Sequence, residues 1–166
     1  MANAMAAREL SFRAIAGADE IERCARMMEQ SEPWLTLGRG YEAGLAILRD
    51  EARERYVAVS DGEIAGFAVL ATNGALVGYL QLLCVAPEHR GRGVGGALMA
   101  FVEEKIFARY PNFFLMVSDF NADARRFYER LGYETIGELR DFLVAGRGEI
   151  LMRKTRGPIR GYVRGR

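Results

Sequence analysis

Apolar positions along the chain change period several times, and each change marks an element. In "ADEIERCARMMEQ", Ile21, Cys24, Ala25 and Met28 fall at helical spacing, which predicts a helix with Asp19 as its cap. "SEPWLTLGRG" breaks that rhythm with Pro33 and two glycines. "YEAGLAILRDEARE" resumes it, with Tyr41, Leu45 and Leu48 on one face. The period then shortens to two. "RYVAVSDGEIAGFAVLATNG" predicts strand, Asp61-Gly62 turn, strand, and a second turn at Asn73-Gly74. "ALVGYLQLLCVAP" predicts a long apolar strand that Pro87 stops. After a glycine-rich loop the spacing predicts a helix from Val94 to Arg109. Its buried stripe would be Val94, Ala97, Leu98, Phe101, Val102 and Ile106.

"FFLMVSDF" is a short apolar run of the interior-strand kind. "NADARRFYERLG" predicts a compact helix, with Asn121 as N-cap, Asp123 in the first turn and Gly132 just past the end. "YETIGEL" and "EILMRK" supply two further strands. The order is helix-helix, three strands, helix, strand, helix, two strands. No internal repeat or interdomain linker interrupts it.

At 166 residues the chain fits one domain, large enough to bury a core without disulfide or metal. Half the residues are hydrophobic, but no apolar run reaches the ~20 residues of a membrane span. "MANAMAARELSFRAI" lacks the basic and apolar blocks of a secretory signal. Cys24 and Cys84 fit no metal-ligand spacing and make no disulfide framework, so a reducing, cytoplasmic setting is expected and no metal site. A single histidine, His89, argues against multi-histidine metal sites and a Ser-His-Asp triad. The net charge of +1 hides an asymmetry. The segment 156–166, "RGPIRGYVRGR", carries four arginines and no acid, and without it 19 basic residues face 22 acidic ones. A basic Arg/Gly tail can bind RNA. With a mildly acidic body, a solvated terminus or an oligomer contact, as in a homodimer, is the better expectation.

The stretch "APEHRGRGVGGALMAFVEEKI" carries the chemistry. Gly91, Gly93 and Gly96 spell the dinucleotide-binding pattern G-x-G-x-x-G, with Asp119 as a conceivable ribose ligand. The context is wrong for it. "APEHR" separates Gly91 from its strand, Asp119 lies 28 residues on, and one strand-helix-strand unit is too few. No Walker lysine is present either. Read from Arg90, however, "VAPEHRGRGVGGAL" resembles the signature V-x-P-x-x-R-G-x-G-[IV]-G-x-x-L of the GNAT superfamily of N-acetyltransferases. A second family element, N-x-x-A-x-x-F-Y-x-x-x-G-[FY], matches without exception at Asn121, Ala124, Phe127, Tyr128, Gly132 and Tyr133.

The resemblance spans roughly residues 6 to 155 and implies one α/β (α+β) GNAT domain over residues 1–155. A mixed, mostly antiparallel sheet of six to seven strands would be flanked by about four helices and splayed in the middle. It implies acetyl-CoA as cofactor. Arg90, Gly91, Arg92, Gly93, Val94, Gly95 and Gly96 would then hold its pyrophosphate. Glycines let main-chain N–H groups approach phosphate, and the positive end of the next helix faces the same place. Along the preceding strand, Leu83, Cys84 and Val85 would bind the pantetheine arm through the backbone of Leu83 and Val85. Cys84 itself reads as a core residue, not a nucleophile. Asn121 would contact the cofactor as well as cap its helix. Tyr128 matches the family tyrosine that protonates the departing thiolate, a role suited to a phenol with a pKa near 10.

The general base is open. Many family members place a glutamate on the strand before the loop, whereas "GYLQLLCV" holds Tyr79 and Gln81. Glu32, Glu42, Tyr79, Asp119 or a water relay could serve. The acceptor would lie over the first two helices, where Trp34 and Tyr41 could wall a pocket and Glu32 and Glu42 attract a cation. A small-molecule amine is the first expectation. A protein amine (N-terminal or lysine) and a non-catalytic acyl-CoA-binding module are the alternatives.

Overall fold

The computed structural model describes residues 10–163. Most of the stretch read for a secretory signal, and the last arginines of the tail, lie outside the described residues. One mixed sheet of seven strands runs in the order β1-β2-β3-β4-β5-β7-β6. Its strands are β1 (Leu10–Ala14), β2 (Glu54–Ser60), β3 (Glu63–Ala71), β4 (Tyr79–Val85), β5 (Asn112–Ser118), β6 (Glu134–Arg140) and β7 (Gly148–Thr155). The helices are α1 (Gly17–Glu29), the single turn α2 (Trp34–Leu37), α3 (Tyr41–Arg49), α4 (Val94–Phe107) and α5 (Ala122–Arg130). Every strand pair is antiparallel except β4 with β5. Among the described residues no helix is long and apolar enough to cross a membrane.

Two cores lie on opposite faces of the sheet. On one, α1 and α3 bury Cys24, Met28, Leu45 and Leu48 against Phe67, Val69, Leu82 and Cys84. On the other, Leu98, Val102, Ile106 and Phe107 of α4 pack on Leu70, Phe113 and Leu115. A fully buried Leu, Ile or Phe stabilises by about 1.5–3 kcal/mol, so both layers hold the sheet firmly. α4 matches the predicted stripe at Val94, Leu98, Val102 and Ile106, while Met99 and Phe107 are buried as well.

Several sequence expectations need correction. β1 escaped the periodicity reading because this edge strand alternates weakly, with two of its five residues half-buried and the rest exposed. α2 forms where Pro33 and the two glycines predict only an interruption. Asp19 does not cap α1. The cap position is Ala16, and its N–H donates instead to the Glu20 carboxylate at 2.7 Å. β4 begins at Tyr79, four residues later than the apolar run suggests. Gly78 stands at φ +81°, where a Cβ would lie 2.6 Å from the Asn112 carbonyl oxygen. Its own carbonyl accepts the Phe114 N–H at 2.8 Å, so this close approach starts the β4–β5 junction. Within the described part of the basic tail, the Arg156 N–H donates to the Pro111 carbonyl at 2.8 Å and the Tyr162 hydroxyl to the Phe107 carbonyl at 2.6 Å.

Candidate active site

The site begins where the sheet comes apart. β4 and β5 pair only at Tyr79↔Phe114 and Leu80↔Leu115, then diverge. Beyond that point β4 keeps β3 on one side and has an open edge on the other. The Ala86 N–H donates to the Ala65 carbonyl at 2.9 Å. Hydrogen-bonded positions alternate along an antiparallel pair, so Cys84 and Leu82 also spend their main-chain groups on β3. Leu83 and Val85 therefore turn theirs toward the gap. The register also slips at Val69/Leu70, leaving Gln81 as an extra residue in β4. The slip moves Leu80 to the α4 core while Leu82 and Cys84 face α1.

Below the gap stands the glycine loop. A short 3-10 turn, Pro87–His89, leads to Gly91 at φ +70° and Gly93 at φ +82°, both in the left-handed region. Gly93 is the residue before α4, and no side chain caps that helix. Its first-turn N–H groups are left open beside the positive end of the helix dipole. A Cβ at Gly91 or Gly93 would meet nothing within 4 Å, so the main chain there faces open space.

The two arginines of the loop differ. Arg90 folds back, its Nε donating to the Val85 carbonyl at 3.0 Å and its Nη2 to Ser31 Oγ at 2.8 Å. Arg92 is exposed. Cys84 points away from the gap, with Sγ 3.6 Å from Ser31 Oγ, and burial pushes its thiol up to about 11. A thiol so held is a poor nucleophile at neutral pH.

On the far wall, α5 begins at Asn121, whose Oδ1 accepts the Ala124 N–H at 3.2 Å. Two turns later Tyr128 is buried, and burial holds its phenol well above the usual tyrosine range. Loop, gap and Tyr128 open into one continuous cavity of about 1260 Å³. Leu83, Val85, Arg90, Gly91, Gly93, Val94, Gly95, Gly96, Asn121 and Tyr128 all border it; Cys84 and Arg92 do not. A flexible, phosphate-bearing cofactor fits this shape, with anion donors at one end and an apolar slot leading from them.

The cavity continues past Tyr128 to a second end. Glu32, Trp34 and Tyr79 line it, but Glu42, Tyr41 and Asp119 do not. Tyr41 packs in the α1–α3 core beneath Arg26. The Asp119 carboxylate accepts the Gly148 N–H at 2.8 Å, and the Glu32 carboxylate accepts the N–H and hydroxyl of Thr36. Glu149, read only as the start of a strand, turns out to be a buried acid in the cavity wall, 4% exposed. It sits opposite Ser118 in the β5–β7 register, and Ser118 Oγ donates to it at 2.8 Å. Burial raises its carboxyl above the ordinary range; the Ser118 hydrogen bond opposes that, Asp119 adds to it and Arg39 works against it. Tyr79 lies within electrostatic reach of both Glu149 and Tyr128, and burial pushes it up to about 12. No local pattern marks Glu149. Only the register and the splay bring it to the site. Leu35 joins it from α2, and Arg39, Phe142 and Leu143 from loops.

Residues 17–133 match the model of the acetyltransferase (GNAT) family. An acetyltransferase of Pectobacterium atrosepticum is 33% identical over 116 residues, 69% of this chain and 77% of that protein. Among solved structures, an aminoglycoside 6'-N-acetyltransferase complexed with coenzyme A superposes with a TM-score of 0.71 at 18% identity, covering 89% of this chain and 98% of that one. The ribosomal-protein-S18-alanine N-acetyltransferase of Escherichia coli gives 0.70 at 19%, covering 93% and 100%. At that identity the two structures speak to the fold.

Proposed function

The chain belongs to the acetyltransferase (GNAT) family, and we propose that it transfers the acetyl group of acetyl-CoA directly to the primary amine of a small-molecule acceptor. The observation that carries this reading is the single cavity joining the uncapped start of α4, the open edge of β4 and Tyr128. When bound, acetyl-CoA supplies an acetyl group already activated as a thioester. Gly91 to Gly96 offer main-chain donors to its pyrophosphate, and the dipole of α4 favours the negative charge. The strand edge at Leu83 and Val85 orients the pantetheine arm as an added strand would be oriented. Tyr128 keeps its proton at neutral pH, because burial disfavours the phenolate, and gives it to the departing sulfur. The buried walls exclude water that would otherwise compete with the amine.

Acetyl-CoA should raise the melting temperature, since a ligand that binds only the native state stabilises it. Free thiol should then appear only when an amine is added. A shift with NADH and none with acetyl-CoA would overturn the reading.

A further inference from the structure

We propose that Glu149 is the seat and proton acceptor for the acceptor's ammonium group, and that the acceptor is a monoamine carried on an apolar body. This deepens the acetyl-transfer reading and rests on it. Glu149 is a carboxylate in the wall of the cavity, and among the described residues its carboxyl accepts a hydrogen bond from Ser118 alone. Gln81, which also lines the cavity, has a buried carbonyl oxygen with no hydrogen-bond partner among the described residues. A buried unpaired acceptor is costly unless a donor arrives. An alkylammonium brings three N–H donors, which suits this pair of acceptors.

The surroundings restrict what carries the amine. Outside the glycine loop the charged groups lining the cavity are Glu149, Arg39, Glu32, Asp123 and Arg130; Glu32 is already engaged by Thr36 and Asp123 by Arg126. A second or third ammonium would find no free acid, and Arg39 would repel it. The lip is apolar instead. Leu35, Phe142 and Leu143 are 56%, 53% and 42% exposed and all line this cavity. They make up three of the six exposed large hydrophobics among the described residues, and all three border this one cavity. Such a gathering marks a surface for apolar matter.

The chemistry balances. The ammonium gives one proton to Glu149, and the freed nitrogen lone pair forms the C–N bond at the acetyl carbon as the C–S bond breaks. Sulfur takes the Tyr128 proton, and the nitrogen's second proton restores the phenol. Glu149 later releases its proton to water, and nothing is oxidised or reduced. The groups that set its titration are Ser118 from β5, Asp119 just past it, Tyr79 from β4 and Arg39 from the α2–α3 connection; on β6 Leu139 is its uncharged cross-strand neighbour, with the Glu138 carboxylate beside Gly148.

The test compares hexylamine and 2-phenylethylamine with spermidine, kanamycin and an alanine-initiated peptide, read by thiol release. The monoamines should exceed the others in kcat/KM by about 10-fold or more; preference for a polycation or the peptide would overturn the proposal. In Glu149→Gln, kcat/KM for hexylamine at pH 7 should fall about 100-fold. Its rise with pH through the carboxylate range should vanish and be replaced by a climb toward the amine's own pKa. A uniform loss with an unchanged pH profile would mean a structural role and sink the idea. Without acetyl-CoA, hexylamine titrated calorimetrically should bind the wild type and bind Glu149→Gln about 10-fold more weakly; equal binding contradicts the seat. Both proteins should keep the thermal shift with acetyl-CoA. Loss of that shift in the wild type would be a failure of the parent reading instead.

Discussion

On the proposed function, the two ends of the cavity recognise their ligands by different means. At the phosphate end the recognising groups are main-chain N–H donors in a continuous stretch, from Gly91 through the first turn of α4. At the amine end they are side chains from five separate places: Leu35, Arg39, Gln81, the Phe142–Leu143 loop and Glu149. Main-chain recognition needs particular backbone angles, and these select glycine at fixed spacing, so it leaves a compact signature. Side-chain recognition needs only that distant residues converge. The difference explains why one chain can state its cofactor clearly and its acceptor hardly at all.

The comparison can be broken most severely at the loop. Gly93→Asp adds a carboxylate where phosphate is expected and a side chain at φ +82°. Calorimetry should show coenzyme A binding about 100-fold weaker or lost, equivalent to about 2.7 kcal/mol or more. Nothing lies within 4 Å of the new Cβ, so circular dichroism should report a folded protein. Next in size is Tyr128→Phe, which deletes the buried phenolic proton. Its kcat should drop about 100-fold with coenzyme A affinity nearly unchanged. Unchanged turnover would remove the tyrosine from the chemistry.

Smaller effects sharpen the contrast within the loop itself. Arg90→Ala should cost about 1–2 kcal/mol of stability in urea unfolding, since it strips hydrogen bonds from Ser31 and the Val85 carbonyl. Arg92→Ala should leave stability alone and weaken coenzyme A binding a few-fold at low salt, an effect that fades as salt is raised. Equal behaviour of the two variants would refute their separate roles. The smallest effect concerns Glu149. Its folded-state pKa is raised, so the carboxyl favours folding below its unfolded pKa, and that contribution is lost as pH rises through the folded value. Glu149→Gln should therefore melt slightly higher than wild type at pH 8 and show no such gain at pH 4.

Much of this is legible in the sequence itself. The helix around Met28, the Asp61-Gly62 hairpin, α4 with its stripe, Asn121 as a cap and Gly132 at φ +89° all follow from local spacing and turn chemistry. β1 did not, because an exposed edge strand shows little alternation. The inward turn of Arg90 was hidden too, since its partner Ser31 is 59 residues away. Glu149 was the larger omission. A glutamate after a glycine at a strand's start looks like a solvated end, and only its cross-strand pairing with Ser118 buries it. The candidate bases chosen by type, Glu42 and Asp119, stand outside the cavity for the same reason: distance in space was not encoded locally.

Crystallising the protein with coenzyme A tests the central claim most directly. Diphosphate oxygens should accept hydrogen bonds from main-chain N–H groups between Gly91 and Gly96, with the pantetheine laid along Leu83 and Val85 and the sulfur near Tyr128. A diphosphate held by side chains elsewhere, with that turn unengaged, would contradict it.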